Sequence, residues 1–589
     1  MDGGAGEAVL QAEEGAGSLA RRKARWAWVF LTPALVVVAF VALYPLVRTF
    51  WLSLTDTRLG SEAPPRFVGL RNYRDLLVDG FFLDALLLTV LFTVVTVLLE
   101  LILGLAIALL VDSRFRGRSA VRAAMLIPWA IPTAISAQMW KWMYNDVYGV
   151  FNDLLVNRLG LLSEPIAFVA DDALSLPAVV LVDVWKATPL HGAAAPRGPP
   201  AHPPGPLRGG ARRRRDPVAD LHSGDAPAAQ ALPARGAHLP HPRRPEGLRR
   251  LLRHVREPPR HADHGHLRAG DPGEHLRRRL RLRHLHGHLP GDRGVHRALR
   301  GRLPPGERLM VLGVLRRLAL AVLVLAFLLF TVFPLLWALL SSIKPSEELF
   351  STPVRFWPAR PTLEHYRGVL SNGDFLTAAL NSVIVAASVT AASIGIGALA
   401  AFALGRFKFR GRSVVLYAVL AMTLFPQIAV LGALFQLVNA LGLFNQLPAL
   451  TLTYLIFTLP FTVWVLTGFL EAVPVEVEEA AYIDGATPLQ VFVKIMLPLS
   501  VPGMVTTGLL AFIAAWNELL FALSFTQTPD KRTVTYAIMS FSATTSSAYE
   551  VPWGQMMAAS VLVTAPLLVL ALVFQRRILA GLTAGAVKG

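Results

Sequence analysis

Long apolar runs separated by short polar segments organise this chain. A run of about 20 predominantly apolar residues is long enough to cross a bilayer as a helix. Such runs fall near 26–50, 85–111 and 121–143, with a weaker one near 174–190. A second set follows near 317–340, 377–404, 413–437, 447–470, 503–525 and 556–574. The pattern predicts an all-α polytopic membrane protein with about ten transmembrane helices. Pro128 and Pro132 predict a kink in the 121–143 run. Trp129, Trp140, Trp142 and Tyr144 crowd that run and its outer end in the manner of an interfacial aromatic belt.

Composition agrees with this reading. The chain is 54% hydrophobic, above the roughly 45–50% of soluble domains. It has no cysteine, which excludes disulfides and thiolate metal sites. Basic residues orient the spans, because cytoplasmic loops carry the excess of Lys and Arg. Arg21, Arg22, Lys23 and Arg25 place the start of the chain inside. They precede a run of full bilayer length without a small-residue cleavage site, so a retained first helix is expected rather than a signal peptide. The loop from Arg114 to Arg118, two crossings later, is inside again. In the second set Arg316-Arg317, the basic stretch 406–412, the loop 471–500 and Arg576-Arg577 all fall on that same side. Six spans with both ends cytoplasmic is the topology expected for 310–589.

Both sets share an order: basic start, span, extracytoplasmic segment, span, Phe-Arg-Gly-Arg, span. The Phe-Arg-Gly-Arg stands at 115–118 and at 409–412. Between the fourth and fifth spans of the second set, Glu479-Ala480-Ala481 is followed after three residues by Gly485. Nine residues later comes Ile495-Met496-Leu497-Pro498. This spacing resembles the coupling loop of permease subunits in binding-protein-dependent ABC importers. Phe67-Val68-Gly69-Leu70-Arg71-Asn72-Tyr73 is similar to the first permease partner of such systems. Ser341-Ser342-Ile343-Lys344-Pro345 and the closing stretch Gly581 to Gly589 are similar to the second partner of maltose- and glycerol-phosphate-type systems. The resemblance covers about 1–190 and 310–589.

The resemblance implies a type I importer permease fold, complete in 310–589 and truncated in 1–190. It implies a permease that moves a carbohydrate-type solute in a bacterial-type plasma (inner) membrane. Glu479, Ala480, Ala481, Asp484, Gly485, Ile495, Leu497 and Pro498 would form the loop that docks in the cleft of a separate ATP-binding subunit. The implied partners are ABC ATPase subunits, an extracytoplasmic solute-binding protein, a complete first permease chain and the lipid bilayer, with no nucleic acid. No cofactor or metal is expected on this chain. ATP-Mg belongs to the partner ATPase, and the sequence has no G-x-x-x-x-G-K-[ST] phosphate loop of its own. The chain is therefore read as a transporter component, not an enzyme.

The residue types suit the role. Ala480 and Ala481 are small enough for a short helix to pack closely, and Glu479 would sit near that helix's start, where the dipole favours an anion. Gly485 permits a tight turn, and Pro498 ends the segment before the next span. Trp516, Asn517 and Glu518 fall inside the fifth apolar run and are candidates for the substrate path. Asn517 or Glu518 could reach a sugar hydroxyl, or serve a helix–helix hydrogen bond or a binding-protein contact. His365 is expected at the surface, and Asn381 and Asn445 as caps of span ends.

Residues 191–309 fit neither set. They lack Phe, Tyr, Trp, Ile, Met, Lys, Asn and Thr, yet hold 14 of the 15 histidines. Their 25 arginines against 10 acids supply +15 of the chain's +18 charge. Such a segment cannot bury a core. The arginine run 212–215 could bind nucleic acid or anionic lipid, and His284, His286 and His288 could bind metal. The bias is also what GC-rich DNA encodes when read out of frame. One base over, the codons of His191 to Pro200 permit Met-Ala-Leu-Leu-Leu-Leu-Ala-Gly-Leu-Gln. Those of Pro206 to Arg215 permit Leu-Tyr-Glu-Ala-Ala-Arg-Val-Asp-Gly-Ala, and those of Gly224 to Pro227 permit Val-Thr-Leu-Pro. The joint fit regenerates a second E-A-A loop at the correct spacing. The organisation read here is a first permease whose frame slips by one base near 186–191, followed by a second permease starting at Met310. With its twin lost, one loop would give the ATPase pair one handle, and the chain as written is expected not to support coupled uptake. An ion-coupled secondary transporter with a basic central loop is the rival reading, and it leaves the E-A-A spacing without a role. A membrane-anchored nucleic-acid-binding protein using 191–309 is a third.

Overall fold

The structure, a computed structural model, describes residues 22–58, 64–113, 115, 117–194, 305–543 and 551–578. The second E-A-A sequence read beneath 206–227, the arginine run, the three clustered histidines, Arg114, Arg116 and the stretch 581–589 lie outside the described residues. The chain divides into two compact units, 1–199 with 316–589, and 200–315. Of the second unit, 305–315 are described, and they are helical.

Among the described residues the regular structure is helical, with one isolated bridge between Thr55 and Phe67. Six helices among the described residues are long and apolar enough to cross a membrane: Arg22–Ser53, Gly80–Asp112, Met310–Ser342, Gly373–Arg406, Leu447–Glu471 and Trp553–Val573. The weak run near 174–190 forms the helix Asp172–Ala194, which carries Pro177 and Pro189.

The remaining three apolar runs are not straight spans. Arg118–Ala130 and Thr133–Met143 meet at 97°. Pro132 lacks an N–H and pushes Ile131 into extended backbone, so the helix stops and restarts. Arg412–Met422 and Gln427–Ala440 meet at 96°, with Pro426 at the corner. The expected fifth span, 503–525, ends early: its helix is Val501–Asn517, Glu518 is extended, and a short helix Leu520–Phe525 follows. A further 74° bend at Ser500 separates Val501–Asn517 from Pro488–Leu499.

Inside the first unit, Gly373–Arg406 packs along Leu447–Glu471 and Val501–Asn517. Hydrocarbon tails are as apolar as the side chains, so close backbone approach and interhelical hydrogen bonds hold such helices together. A Cβ at Gly508 would come within 2.5 Å of Ile394 Cδ1, so a larger residue at this crossing would make the Ile394 side chain move. Ser393 Oγ donates to Thr458 Oγ1 at 2.8 Å between the two longest partners.

Residues 22–190 belong to the same packed body as 316–578. The Trp142 ring stacks on Trp553 at 5.0 Å, and its Nε1 donates to Ser341 Oγ at 3.1 Å. Trp185 Nε1 donates to the Thr331 carbonyl at 3.3 Å. Trp140, Trp142 and Tyr144 are all buried. They are therefore not an interfacial belt: Trp142 is a contact between the two sets of helices, while Trp140 and Tyr144 pack within the first set, against Trp185, Phe151 and Phe168.

Three other expectations change. His365 is buried: its Nε2 lies 2.9 Å from the Lys344 carbonyl, and Gly554 leaves the imidazole its place, since a Cβ there would overlap the ring. Asn381 lies well inside the Gly373–Arg406 helix and donates to the Asp530 and Arg532 carbonyls at 2.9 and 3.0 Å. The helix is capped instead by Asn372, which accepts from Phe375 N. Asn445, at φ 60°, holds a neighbouring loop, its Oδ1 accepting from Gln527 N and Thr528 N.

Candidate functional site

Two features of the first unit carry chemistry: the E-A-A loop at one end, and a cavity where helix breaks converge. In the loop, Pro474 opens a helix at Val475–Ile483. Gly485 then turns the chain at φ +83°, as its residue type requires. Thr487 and Gln490 form a reciprocal capping box that starts Pro488–Val491, and a π-turn at Phe492–Met496 leads into Leu497–Leu499.

Residues at i and i+3 share a helix face. Glu478 and Ala481 accordingly face the bundle and are buried, while Glu479, Ala480 and Asp484 are exposed. Glu479 sits in the second turn, so the acids near the dipole's positive end are Glu476 and Glu478, not Glu479. Ile483, next to the turn, is 85% exposed, and Val475 and Leu489 elsewhere in the loop region are exposed as well. Ile495 and Leu497 are half-buried, and Pro498 is exposed within the Leu497–Leu499 turn. The Gly485 turn thus carries an uncovered apolar edge on a loop anchored from behind.

That anchoring centres on Arg406, the last residue of the Gly373–Arg406 helix. Its Nε donates to Glu478 Oε2 at 2.6 Å, with the two side chains 6% and 10% exposed. Its Nη1 donates to the carbonyls of Leu470 and Val473 at 3.3 and 2.8 Å, and Nη2 to Pro474 at 3.4 Å. One guanidinium satisfies the free carbonyls at the end of Leu447–Glu471 and holds the next helix by its buried acid. Arg412 forms a second pair with Glu471. Tyr482 also hydrogen-bonds Glu478; burial, and then that acid, push its hydroxyl pKa well up.

The cavity, about 610 Å³, is lined by Thr133, Ala134, Gln427, Asn517, Glu518 and Met539 among others. Thr133 follows the break at Pro132, Gln427 follows Pro426, and Asn517 and Glu518 flank the end of the shortened fifth helix. Irregular backbone at membrane depth is tolerated where it lines a protein cavity. The three candidates read from sequence separate here. The Glu518 carboxylate accepts from Phe521 N at 2.8 Å and Ala522 N at 3.2 Å, so it caps the Leu520–Phe525 helix. Trp516 is buried and stacks on Phe512 at 5.8 Å. Asn517 lines the cavity with a buried Oδ1 that has no hydrogen-bond partner.

Lys186 was missed. Its Nζ donates to the Ile131 and Pro128 carbonyls at 2.6 and 3.2 Å, satisfying groups that the Pro132 break leaves open. The signal available was a lysine in an apolar run, where an ionisable group needs a reason.

Residues 393–583 match the family of binding-protein-dependent transport system inner membrane components. The trehalose transport system permease protein SugB of Mycobacterium tuberculosis is 40% identical over 260 residues, 44% of this chain and 93% of that protein. The trehalose/maltose transport system permease protein MalG of Thermococcus litoralis is 40% identical over 278 residues, 47% of this chain and 98% of that protein. A solved bacterial ABC transporter involved in import of the acidic polysaccharide alginate aligns over 46% of this chain and 98% of its own, with 22% identity and a TM-score of 0.39.

Proposed function

Because this chain belongs to the inner membrane components of binding-protein-dependent transport systems, a permease family of ABC importers, we propose that it moves a carbohydrate and is driven through the loop 479–498. The observation that carries this reading is the loop itself: a helix and a capped turn pinned from behind by Arg406, with an apolar edge left open at Ile483. An exposed apolar edge of this kind fits a partner protein, here the ATPase subunit. Clustering of Lys23, Arg406 and Arg412 about the loop supports a cytoplasmic location for that end. A solute-binding protein would deliver the sugar on the opposite side. Asn517, in the cavity, is the group best suited to meet a sugar hydroxyl, since its amide oxygen lacks a partner.

The domain organisation follows the same reading. On it, residues 1–190 are the N-terminal part of a first permease, 310–589 a complete second one, and 191–309 are out of frame. If the codons beneath 206–227 do not spell a second E-A-A sequence one base over, this organisation fails. The function is tested in proteoliposomes holding the frame-restored permease with its ATPase and binding protein. ATP-dependent uptake of labelled trehalose or maltose is expected, and little or none from the chain as written. Uptake that follows an imposed ion gradient and ignores ATP would overturn the reading.

A further inference from the structure

We propose that the E-A-A loop is geared to both sets of helices, with Phe30 of the first span as its seat in the N-terminal set. The inference rests on reading 479–498 as the ATPase-coupling loop, and concerns where that loop's motion goes. The Phe30 ring lies 5.6 Å from Phe492, 5.2 Å from Phe402 and 6.1 Å from Phe407. Phe402 and Phe492 are themselves 5.3 Å apart. All four rings are buried. Phe492 belongs to the loop, while Phe402 and Phe407 bracket Arg406, the residue that pins the loop's first helix. Ala27 and Leu31, neighbours of Phe30 on the same helix face, are buried as well.

The first span meets the loop a second time. Lys23 Nζ stands 5.9 Å from the centroid of the Tyr482 ring, and Trp28 meets Phe409 edge-on at 5.5 Å. Contacts therefore fall on both sides of the Gly485 turn, at Tyr482 and at Phe492. Protein interiors are packed as densely as organic crystals. A displacement of Phe492 either carries Phe30 with it or opens a void among four rings, and opening a void is costly. The same span reaches onward to the cavity wall: Arg48 Nε donates to Gln436 Oε1 at 3.4 Å, on the Gln427–Ala440 segment whose first residue lines the cavity. A single loop so placed would act on parts of both sets, although it remains one handle for the ATPase pair.

The absence of cysteine makes the full chain ready for paired spin labels. One pair, Lys23→Cys with Lys494→Cys, spans the joint. A second, Lys494→Cys with Trp357→Cys, measures the loop against the other end of the C-terminal set. Distances are compared in nanodiscs with the partner ATPase, without nucleotide and with ATP plus vanadate. The second distance is expected to shift by more than about 2 Å, beyond the smallest helix shifts of switching proteins, while the first stays constant. Phe30→Ala should let the first distance change with the second, and Phe30→Leu, which keeps the seat filled, should not. If both distances change in the unsubstituted background, the loop moves without the span and the inference is overturned. It is overturned equally if Phe30→Ala leaves the first distance fixed. If neither distance responds to nucleotide, the coupling reading of 479–498 falls, and this inference with it.

Discussion

Arg406→Met should release the helix Val475–Ile483 from the bundle. The Arg406–Glu478 pair is almost fully enclosed, and removing one member of a buried pair costs about 3–5 kcal/mol because the other charge stays behind unpaired. Glu478 keeps its hydrogen bond to Tyr482, which argues for the low end, about 3 kcal/mol. The carbonyls at 470, 473 and 474 lose the guanidinium at the same time, Leu470 keeping its bond from Val473 N. Glu478→Gln should cost less, about 1–3 kcal/mol, since a neutral acceptor remains and Arg406 retains those carbonyls. The double variant Arg406→Met with Glu478→Met buries no charge and should regain part of the loss. Amide hydrogen exchange resolves this locally. With about 1.4 kcal/mol per tenfold change, exchange across 475–483 should accelerate by roughly two decades in Arg406→Met, and by less in the double variant. Exchange across 475–483 unchanged in Arg406→Met would refute the reasoning. A double variant that exchanges faster than Arg406→Met would refute the role given to the stranded Glu478 charge.

Asp153 ties the two sets of helices together outside the spans, accepting from Val354 N at 2.9 Å and Arg158 Nε at 2.9 Å. Burial raises its pKa, but hydrogen bonds from Asn157, Val354 and Arg158 outweigh this and leave it below the ordinary carboxylate value. A group lowered in the folded state adds stability above its unfolded pKa and loses it as pH falls through the folded one. Protection at 352–356, corrected for the intrinsic exchange rate at each pH, should therefore fall on acidification below pH about 4, and Asp153→Asn should be looser at neutral pH and nearly insensitive to that acid step. Lys186→Met removes a charged donor from two carbonyls at the Pro132 break, a loss of about 1.5–3 kcal/mol per hydrogen bond to a charged group. It should lower the thermal midpoint and alter alkylation of a cysteine placed at Thr133, whereas a change in the midpoint alone would mean that the cavity wall does not depend on Lys186. Asn517→Leu should raise the KM for sugar uptake at least several-fold in the frame-restored importer with little change in folding, and an unaltered KM would take Asn517 out of the substrate path.

The helices were legible because hydropathy measures what a bilayer selects, a sufficient length of apolar side chains. The direction of the backbone within those runs was less so. Pro132 announced its break, but Pro426 lies in a run that hydropathy alone treats as continuous, and Glu518 was read as a charge inside a span. The helix ends at Asn517, one residue earlier, which turns that carboxylate into a cap for the short helix that follows. Buried partners were hidden for a different reason. Trp142 meets Ser341 and Trp553 from 199 or more residues away, and no local pattern distinguishes such a ring from one at the lipid interface.

The E-A-A loop divides along the same line. Its spacing and its glycine were readable because a tight turn restricts the backbone locally, and Gly485 does adopt positive φ. Which glutamate faces which way depends on where the helix begins, and each residue of shift turns a side chain by about 100°. Starting at Val475 directs Glu478 inward with Ala481 and leaves Glu479 outside. Two adjacent acids in one short motif thereby take different tasks. Glu478 is committed to Arg406 and Tyr482 within the chain, and Glu479 is exposed. Reversing the charge at Glu479 should thus weaken capture of the ATPase without loosening the coupling helix, and reversing it at Glu478 should loosen the helix first.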